Sequence, residues 1–320
     1  AVPPPADRPV RPQPLMNMAF GFILGMLLSG GVAVLFETMN NTLRTPEQVT
    51  ELLQVPVLGY IAEIPDNRKR DNQKTPHVLR HPRSPVTEAF RSLRTNLTFT
   101  ELDKPLRTLL VSSQGTSEGK TTIAINLAVV IAQTGRRVIL VDADLRRPKV
   151  HAELGLPNRA GLSNILRERI TPQKVFQRYK SDYLQVITSG GLPPNPAEVL
   201  SSARMVEVLQ ELTAQADMVI VDAPPLVFAD SVALAANADG VLMVVRPNHT
   251  EAEAAVTVVE QLDRVGARIV GVVLNWIRSG ASAQYYGNYK TYAQYGVNGS
   301  DGGDRITELD DTQPVNVGRK

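Results

Sequence analysis

The chain has 320 residues, and its 34 basic and 32 acidic side chains leave a formal charge of +2 at pH 7. A charge this close to balance argues against a protein that mainly neutralises nucleic-acid phosphates, and the length allows one α/β domain of ordinary size with appendages. Cysteine is absent, which excludes disulfides and cysteine metal sites. Because the chain begins Ala-Val-Pro-Pro-Pro without a methionine, we expect it to be a piece of a longer protein.

The N-terminal part predicts a membrane span. Residues 1–14 are proline-rich and suit an extended extracytoplasmic spacer. Residues 15–36 carry no charge and are long enough to cross a hydrocarbon layer of roughly 30 Å. A cleavable signal peptide and a buried core helix are the alternatives; the stretch is too long for the first, and its glycine spacing suits helix contact in lipid. Basic residues are more numerous after the span than before it, which predicts a cytoplasmic C-terminal side.

Two connecting segments follow. Residues 37–65 form a juxtamembrane segment with a cap-like helix start at Thr45-Pro46-Glu47 and a short apolar run near Pro56 to Ile61. Residues 66–85 turn polar, basic and proline-bearing, which marks a linker.

The region 86–280 alternates between short apolar runs and helix-like segments. The runs lie at 109–113, 138–142, 184–190, 218–222, 241–245 and 269–275. Runs that are apolar on both faces and alternate with helices predict a mostly parallel sheet with helices on both faces. Ligands of such sheets bind at the carboxyl ends of the strands.

A glycine-bearing loop, SSQGTSEGKTT, joins the first of these runs to an apolar helix. Gly119 allows close backbone approach, Lys120 can reach the outer phosphates of a nucleotide, and the Thr121 hydroxyl suits Mg²⁺. The usual first glycine of the pattern falls on Gln114, so an ordinary turn that caps a helix is the alternative. The predicted nucleotide contacts are Gly115, Thr116, Ser117, Glu118, Gly119, Lys120, Thr121 and Thr122.

Three carboxylates follow two other strands. Asp142 and Asp144 end one strand in VILVDADLRRP, and Asp222 ends another in MVIVDAPPL. Each carboxylate alone could simply end a strand and have no functional role. Mg²⁺, however, takes one or two protein carboxylates together with phosphate oxygens. With Lys120 and Thr121, they predict a magnesium nucleotide site in an α/β P-loop NTPase fold.

These three motifs resemble the Walker A, A′ and B elements of the bacterial tyrosine kinases (BY-kinases) that accompany capsular and exopolysaccharide synthesis. Further similar stretches are GLPPNPAEVLSSARM, DAPPLVFAD and EAFRSLRTN, and the N-terminal part resembles the end of a chain-length-determinant domain. The septum-positioning and chromosome-partitioning ATPases share the motifs but carry an extra lysine where this chain has Gly115. The BY-kinases often have Pro-Gly where this chain has Thr116-Ser117, so the resemblance does not fix the stiffness of this loop or the reaction rate.

The resemblance implies ATP-dependent autophosphorylation on tyrosine between neighbouring subunits of a ring. Lys120 would bind the β- and γ-phosphates, Thr121 and Asp222 would hold Mg²⁺, and Asp142 and Asp144 would organise the metal and the acceptor hydroxyl. Asp142 is therefore also a predicted metal ligand. A tyrosine hydroxyl has an unperturbed pKa of about 10, so a carboxylate or metal must assist its deprotonation. Asp144 is the candidate, and a role in orienting the metal is the alternative.

A tyrosine cluster lies near the C-terminus. Residues 281–296 form this tail, whose spacing fits neither helix nor strand, and residues 297–320 are polar and predicted to be disordered. The alternatives are an aromatic segment that associates nonspecifically and a surface on which nucleic-acid bases stack. Lys290 is the only basic residue in the cluster, which argues against nucleic-acid binding. The predicted phosphoacceptors are Tyr285, Tyr286, Tyr289, Tyr292 and Tyr295.

In EAFRSLR, three charged residues, Glu88, Arg91 and Arg94, share roughly one helix face. A solvated charged face is the ordinary interpretation, and the resemblance implies a helix that joins subunits head to tail.

The sequence thus predicts a tyrosine autokinase at the inner membrane, with a cytoplasmic kinase domain that uses ATP and Mg²⁺. The expected partners are other copies of the chain, a polysaccharide polymerisation and export machinery and a phosphotyrosine phosphatase, and no nucleic acid. The alternative is a nucleotide-binding scaffold that assembles that machinery without kinase activity. Asn275 is a candidate hydrogen-bond partner for the edge of the adenine base. A purely structural role, in which it caps the end of the strand, is an equal alternative.

Overall fold

The computed structural model of the chain describes residues 14–39, 41–64, 74–100 and 105–277. Its first helix, α1 (Pro14–Met39), covers the uncharged stretch of the sequence. Within the described ranges, no helix is both apolar and long enough to pass through a membrane, so the predicted span is not confirmed. The tyrosine cluster and the C-terminal segment lie outside the described residues.

Eight strands of the described chain form one sheet in the order β1-β8-β7-β2-β6-β3-β5-β4. Neighbouring strands are parallel, except that β4 and β5 pair in antiparallel fashion. The mostly parallel sheet that the apolar runs predict is therefore confirmed. The strands are β1 (Val57–Ala62), β2 (Thr108–Ser113), β3 (Val138–Asp142), β4 (Gln177–Tyr179), β5 (Ser181–Ile187), β6 (Met218–Asp222), β7 (Gly240–Val245) and β8 (Ile269–Ile277).

Helices cover both faces of this sheet. The helices after α1 are α2 (Pro46–Leu53), α3 (His77–Arg80), α4 (Pro85–Thr100), α5 (Lys120–Ala132), α6 (Val150–Leu154), α7 (Leu162–Glu168), α8 (Pro196–Leu200), α9 (Ala203–Thr213), α10 (Ala229–Ala235) and α11 (Ala252–Arg264). One core cluster contains residues of α2 and of α7 to α11, and the other contains residues of α3 to α6. Every residue of β2, β3, β6 and β7 is buried, because each of these strands has helices on both sides.

The segment 37–65, which the sequence analysis set apart from the kinase domain, contributes to the same sheet. The predicted cap of α2 is present, since the Thr45 hydroxyl accepts a hydrogen bond from the Gln48 N–H at 3.2 Å. Strand β1 then pairs with β8 as the sheet edge. The sequence pattern gave no sign of this pairing, because an apolar run next to a proline does not specify its partner strand.

The chain just after α1 is attached to the loop that follows β7. The Leu43 N–H donates to the Thr250 carbonyl at 2.9 Å, and the Asn248 N–H donates to the Leu43 carbonyl at 2.8 Å. The Leu43 side chain is fully buried. The segment after α1 therefore fixes one side of the loop after β7. The other side of that loop faces the glycine loop.

Candidate nucleotide-binding site

The glycine loop leads from β2 into α5 at the carboxyl edge of the sheet. Strands β6 and β7 flank β2, so the ends of three parallel strands meet here. Helix α5 begins at Lys120, directly after Gly119, whose φ of 93° lies in the left-handed region that favours glycine. The N–H groups of the first helical turn have no carbonyl partner within the helix, and they carry a partial positive charge. This end of α5 is therefore suited to bind an anion.

Asn275, at the end of β8, holds the glycine loop. Its Nδ2 donates to the Glu118 carbonyl at 2.8 Å. A Cβ atom at Gly119 would lie 2.1 Å from this Nδ2, so a larger residue at position 119 would displace the amide. The side chain predicted as an adenine partner is thus engaged with the loop backbone.

The Lys120 ammonium lies between two carboxylates. Its Nζ is 2.7 Å from Asp144 Oδ2 and 3.3 Å from Asp222 Oδ1. Burial alone would lower the pKa of Lys120, but the charges of Asp222 and Asp144 outweigh burial and raise it. Lys120 is therefore a charged ammonium at neutral pH.

Asp142 and Asp222 are direct neighbours across β3 and β6, and both side chains are fully buried. Burial raises the pKa of Asp142 well above its ordinary value, and the nearby Asp222 charge adds to the effect. Burial also raises the pKa of Asp222, although Lys120 opposes it. Two adjacent buried carboxylates with one shared lysine form an electrostatically strained pair, which a further cation would relieve.

Asp144 behaves differently from this pair. Burial would raise its pKa, but the Lys120 ammonium and the backbone N–H groups of Arg147 and Arg146 outweigh burial and hold the pKa below its ordinary value. The two N–H groups donate to Asp144 Oδ1 at 2.9 and 3.3 Å. Asp144 is therefore an ionised, fixed carboxylate at the surface of the cleft.

The residues predicted to hold Mg²⁺ fit a small hard cation. Asp142 Oδ1 and Asp222 Oδ2 are buried carboxylate oxygens without a hydrogen-bond partner in the structure, and buried oxygens of this kind need a proton, a water molecule or a metal. No group of three or more His, Asp or Glu side chains in the described part of the chain could hold a metal by itself. Mg²⁺ takes few protein ligands and completes its shell with phosphate and water oxygens.

These side chains border a cleft of about 710 Å³. Of the predicted nucleotide contacts, Thr116, Ser117, Gly119, Lys120, Thr121 and Thr122 line it. Gly115 and Glu118 are not among the lining residues, since Glu118 is buried and its Oε1 accepts the Gly115 N–H at 2.9 Å. Asp144 lines the cleft, whereas Asp142 and Asp222 lie buried behind it.

Several cleft residues were missed by the sequence analysis. They are Arg146, Arg147, Lys149, Glu153, Pro225, Phe228, Arg246 and Trp276. The Arg146 guanidinium lies 4.4 Å from the Phe228 ring and pairs with Asp230 at 3.0 Å. The Arg246 guanidinium lies 3.9 Å from the Trp276 ring. Arg246 directly follows β7 and Trp276 lies next to the end of β8, and this position at the carboxyl ends of the strands was the signal that could have identified both.

Glu118 is a buried acid within the loop. Burial raises its pKa from 4.5 to about 7, although the Gly115 N–H, the Thr250 hydroxyl and the Arg246 charge oppose the shift. A folded protein that binds a proton more tightly than the unfolded chain loses stability as the pH rises between these two values. The loss for Glu118 is on the order of 3 kcal/mol between pH 4.5 and 7, as 1.36 kcal/mol corresponds to one pKa unit.

We expect Glu118→Gln to remove this pH dependence, because the amide oxygen can still accept the Gly115 N–H and carries no charge. Urea unfolding at pH 5 and pH 8 is the measurement, and the variant should gain stability relative to the wild type as the pH rises. Glu260→Gln, at an exposed glutamate of α11, is the matched control, and its stability should change with pH as that of the wild type does. Parallel pH profiles for the wild type and Glu118→Gln would contradict the prediction.

Comparison with known proteins agrees with this fold. Residues 106–302 match the family described as ParA, NUBPL iron-transfer P-loop NTPase. The kinase domain of the Escherichia coli tyrosine kinase ETK has a similar structure, with a TM-score of 0.69 and 31% identity over 75% of this chain and 97% of that one. The chimerical protein CapA2B2 gives a TM-score of 0.67 and 32% identity over 73% of this chain and 100% of that one.

Sequence relatives carry kinase names. The tyrosine-protein kinase YwqD of Bacillus subtilis is 38% identical over 231 residues, which are 71% of this chain and 98% of YwqD. The tyrosine-protein kinase etk of E. coli K12 is 31% identical over 294 residues, and the match covers 87% of this chain and 40% of that longer protein. Because the similarity to YwqD extends over nearly its full length and Lys120, Thr121 and Asp144 line one cleft, this chain belongs to the bacterial tyrosine-protein kinases, on a ParA-type P-loop NTPase fold.

Proposed function

We propose that the protein is an ATP-dependent protein-tyrosine autokinase that phosphorylates its own C-terminal tyrosines in trans and thereby regulates capsular or exopolysaccharide polymerisation and export. The observation that carries the proposal is Lys120, a buried ammonium at the start of α5, within reach of Asp144 and Asp222 beside an open cleft. The names of YwqD and etk support tyrosine as the acceptor.

In this proposal the chain's own groups position the phosphates. The first N–H groups of α5 and the Lys120 ammonium bind the β- and γ-phosphates, because they supply converging donors and positive charge. Phosphoryl transfer has a loose transition state, so positioning and charge neutralisation account for most of the acceleration. Thr121 and Asp222, with Asp142 nearby, would hold Mg²⁺, which when bound neutralises charge on the transferring phosphate.

Asp144 orients the acceptor hydroxyl. Its lowered pKa makes it a weak base, which favours a hydrogen bond from the tyrosine hydroxyl over full proton removal before transfer. Its fixed position supports this role, since two backbone N–H groups hold one carboxylate oxygen. The other oxygen contacts Lys120, so the acceptor would lie next to the phosphate that Lys120 binds.

The acceptor sites are tested with purified protein. We expect incubation with Mg-ATP to produce phosphotyrosine in residues 285–295, located by mass spectrometry. Phe at all five positions should remove these sites and leave ATP binding unchanged, because in this proposal Lys120 and the start of α5 bind the phosphates. Matched Phe substitutions at Tyr179 and Tyr183 in the sheet should leave the label in place.

Transfer in trans is tested by mixing two inactive partners. Lys120→Met protein retains its tail, and the five-Phe protein retains its site, so neither can label itself. We expect the mixture to label the tail of the Lys120→Met chain. Absence of label from the mixture, when the wild type labels itself, would mean transfer within one chain.

A head-to-tail assembly through α4 is part of the proposal. Glu88 and Arg91 pair with each other on the helix, and Arg94 donates to the Val130 carbonyl at 3.2 Å. Glu88 and Arg91 are partly exposed, so their pairing is one that a neighbouring subunit could exchange. Phosphates on the tail, at about −1.5 to −2 charge each, would repel one another across such a ring.

Membrane attachment, the polysaccharide machinery and a phosphotyrosine phosphatase complete the proposal. Support for attachment comes from the uncharged stretch 15–36 and from large apolar side chains of α1 that are more than half exposed, such as Phe20, Phe22 and Met26. Because the match covers 40% of etk, the activity and partners of the whole protein are proposals. The second candidate function, a scaffold that binds nucleotide without kinase activity, predicts ATP binding and no phosphotyrosine.

A further inference from the structure

One wall of the cleft carries a tryptophan in an unusual backbone conformation. Trp276 follows Asn275 near the end of β8 and has a φ of 64°, in the left-handed region that bulky residues rarely adopt. Such a conformation is unfavourable and persists where the surrounding structure holds it, often at ligand sites. The side chain lines the cleft and is 38% exposed. The structure thus keeps a large apolar ring, on a residue with a strained backbone, at a position that a ligand can reach.

Arg246 fixes this ring next to the glycine loop. Its guanidinium lies 3.9 Å from the centre of the Trp276 ring, and its Nη1 donates to the Ser117 carbonyl at 3.2 Å. A Cβ atom at Gly119 would lie 3.5 Å from Trp276 Nε1, so the indole borders the loop itself. The indole, the guanidinium and the loop therefore form one continuous wall.

The wall suits a flat aromatic ring that is joined to an anion. An indole offers a stacking surface, and a guanidinium adds a second planar group with positive charge. The anion-binding start of α5 lies immediately beside them. Asn275 donates its amide to the Glu118 carbonyl, so its main contact here holds the loop.

From this arrangement we propose that Trp276, held by Arg246, is the surface on which the base of the nucleotide stacks, and that it selects by ring area and so favours purine over pyrimidine nucleotides. The inference rests on the proposed nucleotide site and identifies how the base is bound there. Trp276 is in this view a specificity residue, and the phosphates are bound by Lys120 and the start of α5.

Trp276 is the only tryptophan of the chain, so its fluorescence reports on this wall alone. The test titrates the full chain, with Mg²⁺ present, with ADP, CDP and tripolyphosphate, and follows emission together with calorimetric affinity. We expect ADP to quench the emission and to bind more tightly than CDP, because a purine ring covers more of the indole than a pyrimidine ring does. Tripolyphosphate should bind with little change in emission.

Substitutions separate stacking from loop structure. Trp276→Leu should lower the calorimetric affinity for ADP about tenfold and leave tripolyphosphate affinity unchanged, and Trp276→Phe should lie between Leu and the wild type. Tyr183→Leu, at an exposed aromatic residue of β5 outside the cleft, is the matched control and should bind ADP as the wild type does.

Three outcomes overturn the inference. The first is unchanged emission with bound ADP, and the second is an equal loss of ADP and tripolyphosphate affinity in Trp276→Leu, which would mean that Trp276 only supports the loop. In both, the phosphate site of the proposed function stands. The third is failure of the wild type to bind either ligand, which would overturn the nucleotide site as well.

Discussion

Lys120→Met should abolish tyrosine labelling from ATP, with a loss of at least about a hundredfold, the scale for removing one preorganised charge-stabilising group from an active site. The lysine is the cation within 3.3 Å of both Asp144 and Asp222. Without it, the γ-phosphate loses its positively charged partner. The measurement is phosphotyrosine formed per minute with Mg-ATP, on protein whose fold is checked by circular dichroism.

The same change should also destabilise the free protein at neutral pH, because removing the Lys120 charge leaves the buried carboxylates of Asp142 and Asp222 facing each other. Lys149→Met is the matched control, since it removes one positive charge from the wall of the same cleft. The ion pairs of Asp144 and Asp222 described here are with Lys120, so Lys149→Met should retain at least a tenth of the labelling. Equal losses in both variants would mean that the net charge of the cleft, and not the position of Lys120, determines the rate.

Asp142→Asn should have opposite effects on activity and on stability. Asp142 is buried next to Asp222, and its Oδ2 accepts the Val150 N–H at 3.1 Å. An amide can keep this hydrogen bond and can also donate to Asp222, which removes a buried charge and its repulsion. We expect an increase of about 1–3 kcal/mol in the free energy of unfolding without ligand.

The labelling rate should fall at least about tenfold in Asp142→Asn, because the metal site loses one carboxylate. Thermal unfolding with and without Mg-ADP measures both effects, and the Mg-ADP stabilisation should shrink as the free protein gains stability. Asp217→Asn is the control, since Asp217 pairs with Arg137 on the surface and lies before β6. A variant of Asp142 that is less stable without ligand would show that the two carboxylates are not in conflict.

The local features of the site were predictable from the sequence. The apolar runs identified six of the eight strands in the described chain, because a strand covered by helices on both sides needs apolar residues at every position. The Gly-Lys-Thr pattern located the start of α5, since glycine spacing and the helix start are encoded within a few residues. Strand β4 was missed, because three residues of mixed polarity leave no period to detect.

The side chains that interact across the site were not predictable in this way. Glu88 and Arg91 share a helix face, as predicted, but pair with each other. Asn275 was placed correctly at a strand end, and its partner is the Glu118 carbonyl. Arg246 and Trp276 lie 30 positions apart in sequence and form one wall of the cleft, because β7 and β8 are neighbours.

The sequence by itself determined the alternation of strands and helices, the anion-binding loop and the kinds of side chain that follow the strands. Only the tertiary structure decided that Asp142 lies opposite Asp222, that Lys120 contacts Asp222 from 102 positions away, and that β1 completes the sheet. The physical reason is that apolar periodicity specifies which residues are buried, whereas strand order and register specify which buried residues meet. The charge balance of the site therefore emerges only when the sheet is assembled.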